Sequence, residues 1–205
     1  MGTMSEVQHW QIDDISIIED QNFLTESQKK FLDNFVCASD SSNYHKQITF
    51  KMQDKMMIKS TGEIEPVVSL FYHVENHGHG KGDHQYYDQF EDILDTFCTR
   101  HNINFASIIS CRVNLLFHYD NESVEHPIHK DHYDIPHKNL IIYLNDANDK
   151  NTYTSIFDEN QKMIHTSKPD QYKGLYFSGK NDAPVYHNVV PPKFGHRMTL
   201  IYTFV

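Results

Sequence analysis

The sequence contains no apolar run long enough to cross a membrane and no excess of basic charge. None of the apolar runs in its 205 residues approaches the 18 that a membrane-spanning helix needs. Residues 1–6 contain no basic region followed by an apolar segment, so we expect no secretory signal. The 28 acidic and 18 basic side chains give a formal charge of −10, which opposes nonspecific binding to nucleic acid or anionic membranes. Nucleic-acid and membrane partners are therefore disfavoured.

Cysteine is scarce, and linkers and repeats are missing. Cys37, Cys98 and Cys111 are an odd number without the spacing of a metal site. Reduced, buried thiols in a cytoplasmic protein explain them most simply. The sequence also has no internal repeat, low-complexity tract or long Pro/Gly/Ser linker. We therefore expect one domain over residues 1–205, with helical support and a variable region in 1–105 and the core in 106–205.

The order of helix and strand patterns predicts the fold class. Thr25 and Gln28 have the spacing of a capping box that opens a helix ending at Val36. A second helix over about residues 85–100 repeats apolar residues at helical spacing. Short strand patterns surround these helices, at 7–18, 67–74, 108–119, 139–144, 152–157, 174–178, 185–190 and 197–205. Helices followed by many short strands indicate an α+β fold, and a double-stranded β-helix (jelly roll) with supporting N-terminal helices fits this order.

Histidine is abundant, with 15 residues, and its densest cluster lies at 126–134. Within that cluster, His129 and Asp131 are two positions apart, so on a strand both side chains point the same way and can bind one ion. A third ligand must come from elsewhere, and His187 lies 58 positions later on another predicted strand. Two histidines and one carboxylate on one face of a metal leave three positions open, as non-haem Fe(II) oxygenases require.

Arg197 adds a candidate anion-binding residue. It lies ten positions after His187 on the last predicted strand, between apolar neighbours and two positions before Thr199. A guanidinium group binds a carboxylate through two parallel hydrogen bonds and keeps its charge. A salt bridge at the edge of the sheet is the alternative explanation for this arginine.

Taken together, these residues resemble the Fe(II)- and 2-oxoglutarate-dependent oxygenases, in particular the prolyl-4-hydroxylase-like branch. The family pattern is H-x-D, then a distal His, then an Arg or Lys about ten residues later. Here the pattern falls on His129, Asp131, His187 and Arg197. The resemblance covers about residues 106–205, and short phage and bacterial members are the most similar.

The resemblance implies further co-substrate contacts. Tyr143, at the end of an apolar strand that continues Leu-Asn, is expected to help hold the distal carboxylate of 2-oxoglutarate. Tyr119, ten positions before His129, is expected near the metal-proximal end, and Thr199 beside Arg197. The family's Gly-Gly-Glu-Thr-x-Phe motif is replaced by residues 149–157, which keep only a Thr and a Phe. Substrate contacts in that loop are therefore expected to differ.

The implied activity is hydroxylation of a C–H bond with O2, releasing succinate and CO2. Fe(II) is the implied metal, 2-oxoglutarate the co-substrate and ascorbate an optional stimulant. The implied substrate is a prolyl, peptidyl or amino-acid-like molecule. A non-catalytic jelly roll that keeps its metal ligands is one alternative, and a cupin-like metalloenzyme, which would not need Arg197, is another.

Two local alternatives stay open. A second H-x-D, His132 and Asp134, overlaps the first, and His129 with Asp131 is preferred because this choice keeps the spacing to Tyr119. The Gly/His-rich loop at 77–84 is read as a solvated turn, with a mobile lid over the substrate as the alternative.

Overall fold

A computed structural model describes residues 7–36, 86–117, 125–147 and 149–205, and the backbone of four short strands between residues 51 and 75. The strands are β1 (Val7–Ile12), β2 (Ile15–Asp20), β3 (Lys51–Gln53), β4 (Met57–Ile58), β5 (Ile64–Glu65), β6 (Ser69–Glu75), β7 (Ile108–Phe117), β8 (Lys138–Tyr143), β9 (Tyr153–Phe157), β10 (Met163–Ser167), β11 (Gly174–Gly179), β12 (Tyr186–Val190) and β13 (His196–Phe204). The helices are α1 (Glu26–Val36) and α2 (Tyr87–His101), with a 3-10 turn at Lys180–Asp182.

Two antiparallel sheets carry the architecture. The larger has eight strands in the order β1-β2-β11-β8-β13-β7-β6-β3, and the smaller has the order β10-β9-β12. β4 and β5 pair separately as a short antiparallel ribbon. The order of the strands in the sheets differs from their order in the chain, as expected for a jelly roll. The predicted α+β jelly roll is confirmed.

The helices cover one face of the large sheet. Thr25 and Gln28 form the predicted capping box: the Thr25 amide donates to Gln28 Oε1 at 3.0 Å, and the Gln28 amide donates to Thr25 Oγ1 at 3.3 Å. The predicted second helix is α2, which ends at Asn102 in the left-handed conformation with φ 55°. Its apolar stripe packs on inner residues of β8, β11 and β13. Fully buried Phe90 and Phe97 belong to this stripe, and each contributes about 1.5–3 kcal/mol through burial.

The side chains of β13 point alternately to the two faces of the large sheet and so contribute to two separate layers of the interior. Met198, Leu200, Tyr202 and Phe204 point to the helix side and join its core. Arg197, Thr199, Ile201 and Thr203 therefore point to the opposite side, toward the small sheet. There Ile141 of β8 and Phe177 of β11 meet Ile156 of β9 and Val185 in a second apolar cluster. The space between the two sheets is where the polar side chains of interest lie.

Two strand predictions were incomplete. Residues 7–18 form a hairpin rather than one strand, because the chain reverses at Asp13, which has φ 51°. β10 was not predicted at all. It is an edge strand whose ladder with β9 shifts register between Met163 and His165, and most of its side chains are at least partly exposed. It therefore lacks the apolar alternation that identifies a half-buried strand. The loop at 77–84 lies outside the described residues.

The expectation of buried, reduced cysteines agrees with the two cysteines that the structure describes. Cys98 and Cys111 are buried free thiols, and burial raises the pKa of Cys98 to about 12, so it is an unreactive core residue. Cys37 lies outside the described residues. Within the described ranges, no helix combines the length and apolarity needed to cross a membrane.

Candidate active site

His129 and His187 are brought together by the backbone. The two residues form an isolated antiparallel bridge, in which the His129 amide donates to His187 O at 3.0 Å and the His187 amide to His129 O at 2.9 Å. Residues directly opposite each other in an antiparallel pair point to the same side. The imidazole rings accordingly lie 4.4 Å apart between centroids. Two residues separated by 58 positions in sequence thus form one binding surface.

Asp131 completes a candidate metal-binding group of three side chains. One candidate ligand atom from each of His129, Asp131 and His187 lies within 4.8 Å of the other two. His187 Nε2 is 3.8 Å from Asp131 Oδ2. A search of the described residues for three or more His, Cys, Asp or Glu side chains close enough to hold one ion finds this group. The donor set, two imidazole nitrogens and one carboxylate oxygen, fits Fe(II) with open positions.

Backbone carbonyls orient both imidazoles. His129 Nδ1 is 3.0 Å from Pro127 O, and His187 Nδ1 is 3.2 Å from Val185 O. A carbonyl only accepts hydrogen bonds, so each Nδ1 carries the proton and each Nε2 keeps its lone pair for a metal. Hydrogen bonds of this kind fix the tautomer and ring direction in metal sites generally.

The charges of the three residues are already suited to metal binding. Burial lowers the pKa of His129, and it lowers the pKa of His187 to about 4, so both rings are neutral at pH 7. Burial alone would raise the pKa of Asp131, but the charge of Arg112 and the nearby histidines outweigh it and hold that pKa well below its usual range. No proton has to leave these side chains when a cation binds near neutral pH.

Arg197 lies in the same inter-sheet space with much of its binding capacity unused. It is 2% exposed, and its Nη2 donates to Thr154 Oγ1 at 2.6 Å. Its Nε and Nη1 find no hydrogen-bond partner within the described part of the chain. The guanidinium carbon lies 5.1 Å from the centre of the Tyr143 ring. A buried cation with two unpartnered nitrogens is costly unless an anion binds to it.

The arginine and the metal-binding group are close to each other. His187 pairs with Ile156 of β9, and Thr154, the anchor of Arg197, is the next residue on the same face of that strand. Same-face neighbours are roughly 7 Å apart along a strand. His126 lies near both groups: burial lowers its pKa to about 3, with smaller contributions from the charges of His129 and Arg197. The residue opposite His187 and the residue that anchors Arg197 are therefore one same-face step apart on β9.

The remaining expected co-substrate residues have different outcomes. Tyr143 is fully buried, and its hydroxyl lies 2.9 Å from Thr154 Oγ1 and donates to Ser167 O at a long 3.4 Å. Thr199 is buried on the same face of β13 as Arg197 and pairs with Tyr143 across the ladder. Tyr119 lies outside the described residues. The co-substrate roles of these residues stay predictions.

The second H-x-D is not brought to the metal-binding group. Asp134 is exposed, and the His132 ring lies 5.3 Å from that of His137. Neither His132 nor Asp134 belongs to the three-residue group described above. The structure brings His129 and Asp131 next to His187, and their role as metal ligands stays a prediction.

Three residues that build the site are not predicted from the sequence. Arg112 Nη2 donates to Asp131 Oδ1 at 2.8 Å, and Asn139 Nδ2 donates to Asp131 Oδ2 at 2.5 Å. Thr154 connects Arg197 to Tyr143. Each is a polar residue at an inward position of a predicted strand, and that was the available signal. The residue that each of these side chains contacts depends on which strands are neighbours in the sheets, and the sequence pattern does not show this.

Comparison with known proteins places the fold. No family model and no curated protein sequence matches the chain. Solved structures do match. A Pseudomonas putida prolyl-4-hydroxylase has a TM-score of 0.55 at 15% identity, with 92% of this chain and 91% of that chain covered. A 2OG-Fe(II) oxygenase family oxidoreductase from Burkholderia pseudomallei has a TM-score of 0.62 at 11% identity, with 93% and 84% covered.

A third match is a Trichoplax adhaerens prolyl hydroxylase in complex with a hypoxia inducible factor peptide fragment. Its TM-score is 0.57 at 14% identity, with 94% of this chain and 84% of that chain covered. At these identities the similarity establishes the fold, which is that of prolyl hydroxylases and 2-oxoglutarate, Fe(II)-dependent oxygenases.

Proposed function

We propose that the protein is an Fe(II)- and 2-oxoglutarate-dependent oxygenase that hydroxylates a C–H bond and releases succinate and CO2. The observation that carries this proposal is the pairing of two features in one space. A two-histidine, one-carboxylate group lies beside a buried arginine whose Nε and Nη1 have no partner in the described ranges. The metal-binding group alone would suit several metalloproteins. The arginine supplies the reason for a dicarboxylate co-substrate.

His129, Asp131 and His187 are the proposed ligands. Their neutral imidazoles and ionised carboxylate would give Fe(II) one negative charge and three donors, and would leave three positions for exchangeable ligands. Bound Fe(II) supplies the redox chemistry that couples oxidation of 2-oxoglutarate to oxygen insertion into a C–H bond.

Arg197 is the proposed partner of the far carboxylate of 2-oxoglutarate. Nε and Nη1 have no partner in the described chain, so N–H groups on both sides of Nη2 remain available to donate to a carboxylate. Thr154 holds the third nitrogen and thereby fixes the plane of the fork. Tyr143 hydrogen-bonds that threonine, and its weak bond to Ser167 O is readily exchanged for a stronger one to a carboxylate.

A prolyl, peptidyl or amino-acid-like molecule is the proposed substrate. Support comes from the shared fold with prolyl hydroxylases, of which the Trichoplax adhaerens example holds a peptide fragment. Further support is the low basic charge of the sequence, which disfavours nucleic acid. Ascorbate is proposed as an optional stimulant.

Succinate release tests the proposal. The purified protein is supplied with Fe(II), ascorbate, O2 and 2-oxoglutarate, and succinate is measured with and without prolyl peptides and free amino acids. We expect slow release without substrate and faster release with the correct one. Asp131→Ala should abolish release, whereas the matched variant Asp134→Ala should retain it, because only Asp131 belongs to the metal-binding group.

Two other results contradict the proposal. Metal binding without succinate release under any condition would identify a non-catalytic jelly roll. Equal activity of the Asp131→Ala variant would show that the carboxylate of Asp131 is not a ligand.

A further inference from the structure

Asp131 lacks the backbone support that fixes the two histidines. His129 and His187 are tied by two backbone hydrogen bonds. Asp131 lies instead in a bend that follows the bridge, before β8 begins. The direction of its carboxylate therefore depends on side-chain contacts, and those contacts come from the large sheet.

Arg112 and Asn139 hold one carboxylate oxygen each. Arg112 Nη2 donates to Oδ1 at 2.8 Å, and Asn139 Nδ2 donates to Oδ2 at 2.5 Å. Both residues flank the central strand β13: Arg112 pairs with Ile201 and Asn139 with Thr203. All four positions share the face that looks toward the small sheet. Two strands of the large sheet thus reach across and orient the carboxylate.

The two oxygens of Asp131 are not equivalent. Oδ2 faces His187 Nε2 at 3.8 Å, whereas Oδ1 is occupied by the Arg112 guanidinium. A carboxylate oxygen has two lone pairs, so Oδ2 can accept from Asn139 and still bind a cation. Oδ1 cannot turn to the cation without losing a charge-assisted bond in a buried environment.

We infer that Arg112 and Asn139 are positioning residues that make Asp131 bind the metal through Oδ2 alone. The inference rests on the proposed function, since it takes His129, Asp131 and His187 as the ligands. Its consequence is a coordination number: one oxygen from Asp131 leaves three positions open, whereas a carboxylate that binds through both oxygens leaves two. The large sheet thereby keeps a position available for the exchangeable ligands.

The test is a titration of the apo protein with Co(II) in the absence of O2. Calorimetry gives the dissociation constant, and the visible d–d spectrum reports the coordination geometry. The variants are Arg112→Gln, Arg112→Lys and Asn139→Ala. The matched control is Arg100→Gln, because Arg100 forms a similar pair with buried Asp20 at 2.7 Å, outside the metal-binding group.

We expect Arg112→Gln to weaken Co(II) binding by about 10–100-fold, the usual effect of losing a residue that orients a ligand, and to change the d–d spectrum. Loss of a nearby positive charge would by itself favour a cation, so weaker binding reports on orientation rather than charge. Arg112→Lys should restore most of the affinity, since it keeps the charge and one donor. Arg100→Gln should match the wild type.

Several results would overturn the inference. If Arg112→Gln binds Co(II) as tightly as the wild type or more tightly, with an unchanged spectrum, Arg112 has no positioning role. If that variant fails to fold, Asn139→Ala decides: we expect binding roughly tenfold weaker, and unchanged binding refutes the role. Wild-type protein that binds no Co(II) would refute the proposed function as well, which separates the two failures.

Discussion

Arg197→Met should make the metal-free protein more stable while it removes the response to 2-oxoglutarate. In the structure the arginine is 2% exposed, and its Nε and Nη1 have no partner among the described residues. Its charge is therefore buried without an anion, and burial lowers its pKa. Methionine has a similar length and places no charge in the same space. Thr154 would keep a partner, because the Tyr143 hydroxyl lies 2.9 Å away.

The magnitude follows from the interactions that are lost and gained. The variant loses a charge-assisted hydrogen bond to Thr154, about 1.5–3 kcal/mol, and a contact with the Tyr143 ring, about 0.5–2 kcal/mol. It gains relief from two unsatisfied donors, at about 1–3 kcal/mol each, and from several kcal/mol of guanidinium desolvation. The gained terms together equal or exceed the lost ones, so the free energy of unfolding should increase by up to a few kcal/mol.

The assay is thermal unfolding of the metal-free and Mn(II)-loaded proteins, with and without 2-oxoglutarate. A ligand at 100 times its Kd stabilises by about 2.7 kcal/mol. For a domain of this size we therefore expect the wild-type Tm to rise by roughly 5–11 °C. Arg197→Met should show almost no rise, and Arg100→Met should keep the wild-type response. A less stable apo variant that still responds to 2-oxoglutarate would refute this account of Arg197.

Two further predictions concern the same region. Thr154→Val should weaken 2-oxoglutarate binding by about 10-fold or more, because Arg197 loses its anchoring bond, whereas exposed Thr166→Val should have no effect; calorimetry on Mn(II)-loaded protein compares the two. In the folded protein, burial lowers the pKa values of His126 and His187 to about 3 and 4. Below pH 6.5 these histidines are therefore protonated in the unfolded chain but not in the folded protein, and the free energy of unfolding decreases as the pH falls. His126 and His187 together contribute about 3–4 kcal/mol to this decrease for the metal-free protein between pH 7 and pH 5, and His126→Gln should remove roughly half of that contribution; urea unfolding that is constant over this range contradicts the assignment.

Local patterns in the sequence predict much of the fold. The capping box at Thr25 and the apolar stripe of α2 are local features, and both are present at the predicted places. The reversal at Asp13 was missed because its left-handed conformation is unusual for a non-glycine residue. The edge strand β10 was missed because exposed edge strands carry little apolar alternation.

In the candidate site, too, the residues in a local sequence pattern were predicted and the residues that meet through strand pairing were not. His129 and Asp131 are two positions apart, so a short pattern is enough to suggest them. Arg112 and Asn139 are 19 and 8 positions from Asp131, and they meet it only because β7 and β8 both pair with β13. Such contacts depend on strand order and register, which single-sequence patterns do not contain.

The bridge between His129 and His187 also bears on how the chain folds. It joins two segments that are 58 positions apart, so closing it costs the unfolded chain conformational entropy. A cation held by both histidines would act as a reversible cross-link across that loop. The chain-entropy model assigns a covalent link of this length about 4 kcal/mol. At the proposed Fe(II) site, metal supply would therefore influence how much of this protein is folded.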